Sequence, residues 1–131
     1  MGQVNATGIK GFDCTQAVGQ NLRVKLDGTY GLELAGATDR EIGVVGQAHL
    51  VTGLGSGQQA QVILPNAPGT LIMVAAGDFA AGDTVFGAAD GKIDKDSNSN
   101  PIGIALEASA AAGDEVEVLR MPSMYTPHTH A

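Results

Sequence analysis

The chain has 131 residues, with 14 acidic against seven basic side chains, a net charge of −7, 19 glycines and no tryptophan. That length suits a single domain, and the acidic balance argues against direct binding to nucleic-acid phosphates. No apolar run approaches the ~20 residues that cross a bilayer, and the lone Cys14 rules out an internal disulfide. The start carries no charged-then-apolar signal, so the expectation is a protein made in a reducing cytoplasm.

Residues 1–20 show neither a helical nor a strand period, and Gly2, Gly8, Gly11 and Gly19 punctuate them. They read as an extended N-terminal arm, which needs something to hold it. Residues 1–26 carry a net charge of +2 and the remainder −9, so this start suits an acidic partner. From Asn21 the pattern alternates. Leu22, Val24 and Leu26 interleave with Arg23 and Lys25 as a half-buried strand. Asp27-Gly28 signals a hairpin, and Tyr30–Leu34 returns. Ile42–Gly46 is a third apolar segment, residues 53–59 are a Gly/Ser/Gln loop, and Gln61–Leu64 is a strand stopped by Pro65 and Pro68.

The second half is more regular. Thr70–Ala76 reads as a strand, Thr84–Phe86 as another, and Asp90-Gly91 turns the chain into Lys92-Ile93. Ile102, Ile104 and Leu106 are expected on one face of a strand, with Gly103 and Ala105 opposite. Val116 and Val118 face inward and Glu115 and Glu117 outward. A short phrase occurs twice: Ala80-Ala81-Gly82-Asp83-Thr84-Val85 and Ala111-Ala112-Gly113-Asp114-Glu115-Val116. Each copy joins an apolar strand to an alternating one. Gly82 and Gly113 supply backbone angles that a β-carbon resists, and Asp83 and Asp114 can close the turns through their carboxylates. Two copies make no solenoid. Convergent turn chemistry and a structural duplication both explain them.

No segment of helical length has a convincing 3.6 period, so the fold class is all-β: a small Gly-rich barrel or sandwich. The expected division is an arm at 1–20, a β domain at 21–121 and a tail at 122–131. With three Phe and two Tyr the core is built of small parts, which favours burying more surface against other subunits.

Chemistry-bearing residues are few. Asp94–Asn100 places oxygen side chains at alternate positions like the opening of a calcium loop, but Ser99 and Ala105 stand where a glycine and a bidentate acid belong. It reads as a solvated loop. His49 reads as a partly buried residue, and the His128/His130 pair as part of a solvated tail. Cys14 beside Asp13 has no base or oxyanion site, and Asp13 raises a thiol pKa rather than lowering it. Gly53–Gly57 has no following Lys to make a phosphate loop. Lys92 follows a turn, yet its flanks are not those of a biotin or lipoate carrier. Asn5-Ala6-Thr7 fits a glycosylation triplet that a chain without a signal would not use. The survey predicts no catalytic residue, no metal and no cofactor.

The second half resembles tailed-bacteriophage capsid decoration (cement) proteins. The residues that carry the resemblance are Gly69–Val85, Asp90–Ile93, Pro101–Ala108 and Ala112–Val118, covering roughly 60–120. It implies a β-tulip-like fold and a structural virion protein on the outer head surface that stabilises the shell. The implied partners are the major capsid protein and two further copies in a homotrimer, with no nucleic acid and no membrane. The arm then supplies Lys10, Phe12, Arg23 and Lys25 for shell contact, an extended segment being suited to adding a strand to an exposed sheet edge. Gly82, Asp83, Gly91, Gly113 and Asp114 are expected as structural turns. The alternative is another virion surface or ligand-binding β module, for example one gripping a polysaccharide, which the scarcity of stacking aromatics disfavours.

Overall fold

The computed structural model describes residues 7–29, 31–46, 59–96 and 101–120, and among these residues ten short strands wind into two sheets. The first sheet is a closed barrel. It contains β1 (Ile9–Cys14), β2 (Arg23–Leu26), β3 (Gly31–Leu34), β4 (Gly43–Val45) and β5 (Gln59–Ile63), in the order β1-β3-β2-β4-β5. The second comprises β6 (Leu71–Val74), β7 (Thr84–Gly87), β8 (Ile93–Asp94), β9 (Pro101–Ala105) and β10 (Glu115–Arg120), ordered β6-β10-β9-β7-β8. Its outer strands approach each other through a parallel bridge between Ala75 and Ile93, where Ala76 N donates to Ile93 O at 2.7 Å.

The segment expected as an extended arm is, in its described part, a wall of the barrel. β1 runs antiparallel to β5, from Ile9 opposite Ile63 to Asp13 opposite Gln59, and parallel to β3 at Asp13 and Cys14. Phe12, Cys14 and Val18 lie in the barrel core with Val24, Leu32, Val45, Ala60 and Val62. Gly11 breaks the alternation that would advertise a strand, and both partners of β1 come later in the chain. The boundary expected at residue 20 therefore does not separate an arm from a domain.

The β2–β3 hairpin forms where Asp27-Gly28 predicts it. Asp27 N donates to Gly31 O at 2.9 Å, and the Asp27 carboxylate accepts from Thr29 N at 2.9 Å and Thr29 Oγ1 at 2.8 Å. Those bonds, led by the one from the Thr29 backbone, hold the Asp27 carboxyl below its ordinary pKa.

The sheets are fused by adjacent residues on opposite faces of β4. Val45 points into the barrel, whereas Val44 joins the core of the second sheet with Leu71, Met73, Phe79, Val85, Ile93, Ile102, Val116 and Val118. Ile63, opposite Val44, packs against the same cluster.

One expected strand face is corrected. Ile102 and Ala105 are both buried, Ile104 is half-buried and Leu106 is 43% exposed. The β7–β9 pairing passes from Val85–Gly103 to Phe86–Pro101, so Ile102 is an extra residue on β9. This bulge puts Ile102 and Ala105 into the core despite their odd spacing.

Candidate functional site

The repeated turns are crossed. Each ends the other copy's first strand. Gly82 N donates to Ala105 O at 2.7 Å, and Ala105 N donates to Asp83 O at 2.9 Å. Gly113 N donates to Ala75 O at 2.8 Å, and Ala75 N donates to Asp114 O at 2.8 Å. Between them Phe79 and Ser109 exchange backbone bonds at 3.1 and 3.0 Å. The first strand of each copy pairs with the second strand of the other, β6 with β10 and β9 with β7. This is an intertwined two-fold pair. Gly82 and Gly113 sit at φ +93° and +96°, in the left-handed region. The Asp83 carboxylate accepts from Ala80 N at 2.9 Å, and the Asp114 carboxylate from Ala110 N and Ala111 N at 2.8 and 3.2 Å.

Where the sheets meet, charge is buried. Arg23 on β2 is 1% exposed, and all three of its guanidinium nitrogens donate. Nε reaches Lys92 O at 3.0 Å, and Nη1 reaches Glu41 Oε1 at 3.2 Å. Nη2 reaches Ala88 O at 2.6 Å, Gly36 O at 3.3 Å and Ala35 O at 3.4 Å. One side chain thus binds carbonyls of the barrel and of the second sheet together. The Asp90-Gly91 turn docks beside it. Asp90 and Gly91 both have positive φ, 56° and 76°, the combination a type I′ turn requires. Gly91 N donates to Ala35 O at 2.7 Å. A β-carbon on Gly91 would meet Arg23 O at 2.8 Å, so the approach is close enough to exclude one.

Glu41 lies between Arg23 and Arg120, whose Nη2 is 3.6 Å from Glu41 Oε2. Burial pushes the Glu41 carboxyl above its ordinary value while the two guanidiniums pull it back. Burial also lowers the pKa of Arg120, with Glu41 opposing. Arg120 could have been suspected from the alternation, since it falls in step with the inward Val116 and Val118. Glu41 had no such signal.

The four residues expected to contact a partner do not form one exposed patch. Phe12 is buried in the barrel and Arg23 in the junction, so both are structural in this chain. β2 has the barrel core on one face and, at Arg23, the polar junction with the second sheet on the other, so its alternation does not separate inside from outside. Lys10 is half-buried, with Nζ 5.9 Å from the centre of the Phe12 ring. Lys25 remains at the surface, paired with Asp39 at 3.1 Å. The buried Cys14 thiol has its pKa raised by desolvation and by Asp13. His49, His128, His130 and the 53–57 loop lie outside the described residues, as do Ser97–Asn100 of the calcium-like loop. No group of three or more metal-ligating side chains occurs among the described residues.

Comparison with known proteins gives this scaffold its class. A phage cement protein family model matches residues 42–120, from β4 through β10 and more than half of the chain. The chain belongs to that family. This cement protein is a structural, capsid-binding virion protein, and the matched segment begins earlier than the sequence resemblance, taking in the strand that fuses the sheets. Among solved structures it is similar to the head fiber gp8.5 N base of bacteriophage phi29, at 17% identity and a TM-score of 0.63, covering 92% of this chain and 98% of that one. That likeness shows a shared fold. No curated protein sequence matches the chain.

Proposed function

We propose that this cement protein binds the outer surface of a phage head as a homotrimer, contacts the major capsid protein, stabilises the shell and catalyses no reaction. The observation that carries the reading is the family match across both the fusing strand and the crossed turns, residues 42–120. A rigid double sheet with buried polar clamps suits a protein that must hold a fixed shape while bridging shell subunits. With Phe12 and Arg23 buried, contact falls to groups left on the barrel surface: Lys10 and Lys25, with Ile9 and Leu26 as exposed apolar neighbours. Three copies on one trimer multiply individually weak contacts through effective concentration.

The test is co-sedimentation of purified protein with expanded heads that lack decoration, followed by imaging of the shells. The expected result is saturable binding outside the shell, three copies per site, and a solution mass three times that of the chain. Lys25→Glu is expected to weaken binding, and Lys95→Glu, just past β8 of the second sheet, to leave it unchanged. A strictly monomeric protein that ignores the heads would overturn the reading. Equal binding by both charge reversals would remove the barrel surface as the contact.

A further inference from the structure

Two arginines enter the junction, and only one of them is fully bonded. Every guanidinium nitrogen of Arg23 donates to a carbonyl or to Glu41. Arg120 differs. Its side chain is 8% exposed, and its Nε and Nη2 donate to no acceptor among the described residues. Glu41 Oε2, 3.6 Å from Nη2, is beyond hydrogen-bond reach, while Oε1 of the same carboxylate accepts from Arg23 at 3.2 Å. Glu41 is the buried carboxylate that the two cations share, and Asp39 and Asp94 act on Arg23 from nearer the surface, so Arg120 is the cation left short of acceptors.

That arrangement is unfavourable as it stands. A buried cation is tolerated when it is paired and hydrogen-bonded, and donors left without acceptors add their own desolvation penalty. The two unmet donors are also specific in shape. Nε–H and Nη2–H form the side-on fork of a guanidinium, two parallel donors whose spacing matches two oxygens of one carboxylate or phosphate. We propose that the Arg120 fork, sealed beside Glu41 and Arg23 in this state, opens to take a small oxyanion, a carboxylate or a phosphate, which accepts from its two unmet donors.

Two sources offer that chemistry: a free inorganic anion, or an acidic side chain of the shell protein. The first rests on the cluster alone, and the second rests also on the capsid reading. Inorganic phosphate is titrated into the full chain at constant pH and ionic strength, with chloride making up the balance, and the melting midpoint is followed. The wild-type midpoint is expected to rise by about 3–5 °C at ten times the dissociation constant and to go on rising by a similar amount for each further tenfold of phosphate. Arg120→Lys keeps a cation beside Glu41 but lacks the fork, and its midpoint is expected to stay flat. If the source is a shell side chain, phosphate displaces the wild type from heads at constant ionic strength and has no such effect on Arg120→Lys.

Identical phosphate responses of wild type and Arg120→Lys, in melting and in head binding, overturn the proposal. Should Arg120→Lys fail to fold, calorimetric titration of phosphate into the wild type decides: saturable heat supports the site and its absence rejects it. A protein that ignores heads yet shows the Arg120-dependent melting response retains the anion site while losing the capsid reading, so the two failures are distinguishable.

Discussion

The barrel and the second sheet are built from similar residues by opposite strategies. In the second sheet the connections carry the information. Two Ala-Gly-Asp turns and the Asp90-Gly91 turn set the starts of β7, β10 and β8, and the crossed bonds of Ala75 and Ala105 tie the copies together. In the barrel, closure depends on β1, whose partners lie 18 to 54 residues further along, with Asp13 facing Gly31 and Ile9 facing Ile63. No turn announces that pairing. The turns of the second sheet are thus specified locally, although β6 and β10 still meet across 41 to 47 residues, whereas the barrel is closed by a strand whose pairing no turn announces, and both carry the entropic expense of closing long loops. Arg23 stands where the strategies join, satisfying carbonyls from both sheets.

The contrast can be broken most severely at β1. Truncation through Cys14 removes a barrel strand and the buried Phe12 and Cys14, and it is expected to abolish cooperative unfolding measured by calorimetry. An unchanged melt would return residues 9–14 to the role of a dispensable arm. Next in size is the clamp. Arg23→Ala leaves Glu41 and four carbonyls without their shared donor, and a loss of about 3–5 kcal/mol is expected in denaturant unfolding. Splitting of the transition into two steps would sharpen the comparison, because it would show the sheets unfolding separately once their joint is gone.

The crossed turns offer a finer test. Gly82→Ala and Gly113→Ala each place a side chain in the left-handed region, and neither new β-carbon meets an atom within 4 Å. The expected loss is about 1–2 kcal/mol for each, from backbone strain alone. Nearly equal values support the two-fold equivalence of the copies; a several-fold difference would reduce the repeat to convergent turn chemistry.

The smallest effect concerns acid. Asp27 has its folded pKa held below the ordinary 3.8 by bonds from Thr29, so its ionised form contributes stability above that pH. That contribution is lost as pH falls through the folded value. Asp27→Asn cannot titrate, so its stability should decline less steeply below pH 3.8 than that of the wild type. Parallel decline in the two proteins would show that the hairpin turn is not a source of acid sensitivity.

What the chain's order of residues determined by itself is local. Asp27-Gly28, Asp90-Gly91 and the doubled Ala-Gly-Asp phrase each specify a backbone angle or a carboxylate bond within a few residues, and the structure places turns at all of them. The inward Val116 and Val118 follow from a period of two on a strand with one buried face. Only tertiary structure decided the rest. Arg23 alternates like a surface residue but is sealed beneath a second sheet, Ile102 enters the core through a bulge set by its neighbour strand, and Ile9–Cys14 becomes a barrel wall by pairing with residues far along the chain. The physical reason is common to all three. Period and turn chemistry report which way a side chain points relative to its own strand, whereas burial depends on what arrives opposite that face, and here it arrives from elsewhere in the chain.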